Sequence, residues 1–272
     1  MVLGVMSHES IEGDERPSNT ALTAAAARAA HLVVDNEPAI FVDSMASTLL
    51  GDRADELIGF HRAHGTHPVL AGTRAEVTCG SRYTEDRLAH CLDRGVTQYV
   101  ILGAGLDSFA YRSDLAGHVR IFEVDHSSTQ RWKRGRLRTA QIAVPSMVAF
   151  VAVDFEADSL ADRFIRTGFD PARPAFVSWL GVTMYLTRAA IGETLAVIGA
   201  FAPDTELVAD YILPACMRDV AGNAYVELVA PAAAKRGEPW QTFLTPGEMS
   251  AWSSSRASGR SSTSGSVARP AP

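Results

Sequence analysis

Short apolar runs punctuate the middle of the chain, the first of them stopping at a glycine. Gln98-Tyr-Val-Ile-Leu-Gly103 is nearly all apolar, as a strand buried on both faces should be. Similar runs recur at Val119–Val124, Met147–Val153, Ala175–Leu180 and Glu206–Ile212. Between them lie helix-length segments: Ser127 to Ala140, Ser159 to Thr167 and Arg188 to Phe201. Strand and helix alternating at this spacing predict βαβ units, hence an α/β fold with a doubly wound parallel sheet.

The stretch before Val96 has no strand signal. Ala21-Leu-Thr-Ala-Ala-Ala-Ala-Arg-Ala-Ala30 is strong helix-forming material. After a break at Asn36-Glu-Pro38, a second helix is expected from Ala39 to Leu50, ending at Gly51, and a third from Ala54 to His64. The expected organisation is therefore a disordered acidic tail over 1–19, a helical lid over 20–75 and an α/β domain over 76–249. From Ser250 onward nine of 23 residues are serine and none is acidic, which predicts a disordered low-complexity tail over 250–272. Thr245, Pro246 and Glu248 announce a capped helix just before it.

The chain has 272 residues and a net charge of −6, which argues against a protein built to neutralise nucleic-acid phosphates. With 47% apolar residues it can bury a real core. Three scattered cysteines (Cys79, Cys91, Cys216) fit neither a disulfide framework nor a thiolate zinc site, and point to a reducing compartment. With no apolar run long enough to span a bilayer and no secretory leader, a soluble cytoplasmic protein with no membrane partner is expected.

The main chemical signal is Val100-Ile-Leu-Gly-Ala-Gly-Leu-Asp107. Gly103 and Gly105, flanking Ala104, permit a tight turn after a strand and let a ligand approach bare backbone. Glu123 and Asp125 close the next strand, where a carboxylate accepts from ribose hydroxyls. A dinucleotide site needs a third glycine, but position 108 is Ser. Asp107, moreover, sits where a pyrophosphate would lie; its charge repels a diphosphate but suits an amino group and a sulfonium. S-adenosylmethionine is favoured over NAD.

These motifs resemble the leucine carboxyl methyltransferase family, in particular its bacterial branch of S-adenosylmethionine-dependent O-methyltransferases. The resemblance spans roughly residues 20 to 248. It rests on Ala24 to Ala30 with Arg28, Ser81-Arg-Tyr-Thr-Glu-Asp86, Gln98 to Arg112, Phe122-Glu-Val-Asp-His126 with Lys133, Val153-Asp-Phe155 and Trp179 to Leu186. It implies a Rossmann-like class I methyltransferase sheet in which the last strands are missing, because relatives continue with a helix and an antiparallel pair. It also implies that Arg82 faces the cofactor carboxylate, that Gly103, Gly105 and Asp107 border its methionine part, and that Asp125 holds the ribose. Asp154 and Phe155 would bracket the adenine, and Tyr185 would line the transfer cavity. Leu180 stands where parts of the family place a Glu, which puts one polar contact in question.

The expected partner is a small-molecule methyl acceptor, a carboxylate ahead of a phenol or alcohol, because a carboxylate needs no base. A cofactor-binding protein without turnover is the alternative. The tail after about Ser250 is compatible with a shifted reading frame, since chosen codons for Trp252 to Gly259 read in another frame as Leu-Val-Glu-Gln-Ser-Gly-Phe-Gly. His61, His64 and His67 read as a solvated loop rather than a metal site, because Gly65 and Pro68 interrupt their helix. Lys133, Arg134, Arg136 and Arg138 read as a charged helix face.

Overall fold

The computed structural model describes residues 18–254, with side chains to residue 252. The expected tail residues 255–272, and with them most of the segment compatible with a shifted frame, lie outside the described residues.

Helix α1 (Asn19–Val34) forms where alanine dominates, and Ser18 caps it by accepting the N–H groups of Thr20 and Ala21. Two short helices follow, α2 (Ala46–Leu50) and α3 (Ala54–His64), then the 26-residue α4 (Pro68–Asp93). The expected helix over Ala39–Leu50 is shortened to its last five residues. The Asp43 carboxylate accepts the Met45 N–H at 3.0 Å and is held by Arg28 at 2.7 Å, and such local bonding competes with a helical turn. Pro68 opens α4 with His67 as its cap, so the proline that seemed to end a helix starts a longer one, running across residue 75.

Five strands follow in βα alternation: β1 (Gln98–Leu102), β2 (Arg120–Asp125), β3 (Val148–Ala152), β4 (Phe176–Trp179) and β5 (Glu206–Ala209). The connecting helices are α5 (Phe109–Arg112), α6 (Ser127–Thr139), α7 (Leu160–Ile165) and α8 (Arg188–Ile198). All pairs are parallel, in the order β3-β2-β1-β4-β5. This is the doubly wound sheet the periodicity predicts. Every residue of β1 is buried, and its side chains alternate between two cores. Val100 and Leu102 join Phe122, Phe164 and Trp179 on one face, while Tyr99 and Ile101 join Leu88, Phe109 and Phe176 on the other. Leu22, Ala25, Ala26 and Ala29 of α1 pack on Leu50 and Leu106 in a third cluster.

After β5 come α9 (Val220–Lys235) and α10 (Pro246–Ser254), neither of which the periodicity marked as a formed helix. The Thr245–Glu248 capping box does start α10: Glu248 Oε2 accepts the Thr245 N–H at 2.8 Å and Thr245 Oγ1 accepts the Glu248 N–H at 3.1 Å. The helix thus persists beyond Ser250. Among the described residues no strand follows β5, so β3 and β5 are the sheet edges. No helix of the described residues is long and apolar enough to cross a membrane.

Candidate functional site

The chain leaves β1 for β2 on one side and returns through β4 on the other, opening a crevice beyond the carboxyl ends of these strands. A cavity of about 380 Å³ fills it. Gly103, Ala104, Gly105 and Asp107 form one wall, Asp125 ends β2, Asp154 and Phe155 follow β3, and Leu180, Gly181 and Tyr185 follow β4. Thr20, Ala24 and Arg28 of α1 and Glu76, Ser81 and Glu85 of α4 close it from above.

The glycine loop is shaped by contacts that only glycine permits. Gly103 has φ +66° and a Cβ there would sit 2.2 Å from Val182 Cγ2. Gly105 has φ +45° and donates its N–H to Asp125 Oδ2 at 2.5 Å. Burial pushes the Asp125 carboxyl above the usual range, against the pull of the Gly105 and His126 N–H groups. Asp107 accepts the Phe109 N–H at 2.8 Å and so occupies the start of α5, where a diphosphate would have to bind. Phe155 packs beside Trp179 with ring centroids 6.3 Å apart.

Nine of the eleven residues expected at the site line this cavity: Gly103, Ala104, Gly105, Asp107, Asp125, Asp154, Phe155, Leu180 and Tyr185. Two do not. Arg82 projects from the outer face of α4, 57% exposed, and pairs with Asp86 at 2.9 Å. Its neighbours Ser81, Thr84 and Glu85 line the wall, whereas the phase of α4 turns Arg82 away from it. Glu123 lies deeper in β2, paired with Lys133 at 2.6 Å with both side chains 1% exposed. Two residues nearer the strand end, Asp125 reaches the wall that Glu123 cannot. Lys133 is therefore part of the core rather than of a solvated basic face. Burial raises the Glu123 carboxyl even beside that ammonium.

Several wall residues were not anticipated. Arg28 is the guanidinium of the wall, buried, with Nε on Asp43 Oδ2 and a terminal nitrogen on the Leu106 carbonyl, both at 2.7 Å. A lone charge inside an alanine run was the signal for it. Asp210 follows β5 as Asp125 ends β2, and the same rule of an acidic strand end would have found it. Both its oxygens accept the Gly181 N–H, at 2.8 and 2.9 Å. Burial first, then the nearby Glu76 charge, push its carboxyl up to about 7. Glu76 is also raised by burial. Glu238, from the loop after α9, takes the Asn19 N–H at 2.9 Å and the Thr20 N–H at 3.0 Å, while the Thr20 hydroxyl lies 2.9 Å from that of Tyr185.

Of the three histidines, His64 and His67 are solvent-exposed as expected, but His61 is not. His61 is buried on α3 with Nδ1 3.3 Å from Arg74, and both burial and that guanidinium lower its pKa. His67 caps α4. Among the described residues no group of three or more His, Cys, Asp or Glu is placed to hold a metal.

The family pattern "Leucine carboxyl methyltransferase" matches residues 21–199, which includes the glycine loop, both acidic strand ends and Tyr185. The chain belongs to the leucine carboxyl methyltransferase family. A Bacillus subtilis relative, named as a candidate S-adenosyl-L-methionine-dependent methyltransferase, is 34% identical over 165 residues, 60% of this chain and 54% of its own. A similarly named Mycolicibacterium paratuberculosis protein is 34% identical over 63% of this chain and 58% of its own. The chain thus spans about half the length of these curated relatives. Among solved structures, a candidate methyltransferase from Thermobifida fusca aligns with TM-score 0.52 at 17% identity, over 88% of this chain and 80% of that one. A duf574 family protein from Streptomyces avermitilis aligns with TM-score 0.53 at 14% identity, over 84% and 81%. These share the fold, the Rossmann-like class I methyltransferase sheet.

Proposed function

We propose that the protein is an S-adenosylmethionine-dependent methyltransferase acting on the oxygen of a small molecule. The observation that carries this reading is one cavity at the β1/β4 switch, in which a Cβ-free loop, two acidic strand ends and a guanidinium face the same space. A zwitterionic amino acid joined to a nucleoside fits that wall. Gly103 and Gly105 would pass its methionine part, Asp107 would sit by the amino group, and Arg28 would take the carboxylate in the role first expected of Arg82. Asp125 would accept from the ribose hydroxyls, and Asp154 with Phe155 would bracket the adenine. Leu180 offers this ligand only an apolar contact.

When bound, the cofactor supplies a methyl group already activated by its positive sulfur. The chain's task is then to orient an acceptor and exclude water. Tyr185, tied to Thr20 and so to α1, closes the acceptor side. Helices α1 to α3 and the first part of α4 serve as the lid in this reading. The three cysteines, free in this fold, accord with a cytoplasmic setting.

Calorimetric titration with S-adenosylhomocysteine, with NAD in parallel, tests the cofactor assignment. Micromolar binding of the first alone is expected. Binding of NAD alone would overturn it, and cofactor binding without methyl transfer to any acceptor would favour the non-catalytic alternative.

A further inference from the structure

We propose that the acceptor is a neutral hydroxyl compound rather than a carboxylate, and that the carboxylate of Asp210 takes its proton. The proposal rests on the cofactor reading above and concerns the other end of the same cavity.

The charges on the cavity wall separate by position. Arg28 stands beside the loop after β1 and is already engaged by Asp43 and the Leu106 carbonyl. On the side of β4 and β5 the wall carries Glu76 and Asp210, and among the described residues neither makes an ion pair. Above about pH 7, where Asp210 is ionised, an anionic acceptor placed there would bring a third negative charge against two carboxylates, neither of which is paired with a cation among the described residues. At a few ångströms that repulsion is worth on the order of a kcal/mol or more even at a high effective dielectric. A hydroxyl meets the opposite situation, because a carboxylate accepts its hydrogen bond.

Asp210 is positioned for that contact. The Gly181 N–H holds both its oxygens, which fixes the carboxylate while leaving lone pairs for a second donor. A side chain built at Gly181 would meet nothing within 4 Å, so the space beside the held carboxylate is open. The charged group facing Asp210 is Glu76 of α4, and burial together with that charge brings the Asp210 carboxyl to about 7, matched to accepting a proton near neutrality. In the step itself the acceptor O–H bond breaks, its proton goes to an Oδ of Asp210, and the electron pair stays on the acceptor oxygen, which becomes the nucleophile. Water removes the proton from Asp210 afterwards. The carboxylate acceptor favoured on sequence grounds needs no base, yet the fold places a suitable base at this wall.

Matched probes test this. Protein loaded with S-adenosylhomocysteine is titrated calorimetrically with naphthol and with naphthoate, which share a ring system and differ in charge. Wild type should bind naphthol roughly tenfold tighter than naphthoate. Asp210→Asn and, separately, Glu76→Gln should bind S-adenosylhomocysteine as wild type does and gain affinity for naphthoate, narrowing the ratio severalfold. Methylation of naphthol by wild type should rise with pH through about 7 and lose that dependence in Asp210→Asn. Equal or tighter binding of naphthoate by wild type, an unchanged ratio in both variants, tighter binding of naphthylamine than of naphthol, or binding of neither probe would each overturn the proposal. Loss of S-adenosylhomocysteine binding by wild type would instead strike the cofactor reading, and the proposal would fall with it.

Discussion

Gly103 and Val182 meet where the loop after β1 passes the loop after β4, and the meeting leaves no room for a methyl group. Gly103→Ala adds a Cβ at a positive φ and drives it into a β-branched side chain that cannot swing aside. The expected result is a loss of about 1–3 kcal/mol in stability, read by urea unfolding, together with at least a tenfold loss in S-adenosylhomocysteine affinity by calorimetry. The buried Glu123–Lys133 pair makes a different case at the same scale. Lys133→Met strands a carboxylate in the core and should cost about 3–5 kcal/mol at neutral pH. The raised Glu123 carboxyl gives that deficit a sign: protonation in acid removes the stranded charge, so the deficit should shrink as pH falls. A double variant, Glu123→Leu with Lys133→Met, should recover most of the loss in the same unfolding assay.

Among elements, α4 and the edge strand β5 are joined by charge. Arg87 reaches Glu206 through two hydrogen bonds, at 2.7 and 2.9 Å, and Arg94 adds a third at 3.1 Å. Hydrogen bonding from Arg87, more than the opposing burial, holds the Glu206 carboxyl near about 2 against an ordinary 4.5. A depressed folded pKa gives stability that is complete above the unfolded value and is lost as pH falls through the folded one. Melting temperature should therefore fall between about pH 4.5 and about pH 2, and Glu206→Gln should flatten the part of that fall due to this tie. An equally steep fall in the variant would assign the acid sensitivity to other carboxylates. At the other end of the fold, Ser18→Ala removes the acceptor of two α1 N–H groups and should cost about 1 kcal/mol, measured by denaturant unfolding.

At the scale of the whole molecule, the cavity is closed by parts far apart in the chain: α1, α4, five strand ends and the loop after α9. A ligand that touches all of them binds the folded state alone. S-adenosylhomocysteine at about 100 times its Kd should add about 2.7 kcal/mol and raise the melting temperature by roughly 5 °C or more, whereas NAD should leave it unmoved. A thermal scan with each ligand checks this, and a rise with NAD would point to a different site chemistry.

The strands and the loop between β1 and β2 were legible because their signals are local. Continuous apolar runs follow from burial on both faces of a parallel sheet, and glycine at 103 and 105 follows from backbone that turns tightly at positive φ. Asp125 could be read because a strand end has a known relation to its turn. By contrast, Arg82 and Glu123 were misplaced because helix phase and depth in the sheet decide which side chain reaches a cavity, and neither is written in a motif. Arg28, Glu76 and Asp210 belong to α1, α4 and the end of β5, which meet only after the sheet has closed and the helices have packed. Local propensity and periodicity, acting over a few residues, thus determined most of the elements, their order and the glycine loop after β1. Which carboxylates stand together on the cavity wall was decided by tertiary packing, because burial and charge proximity exist only between segments that the fold brings together.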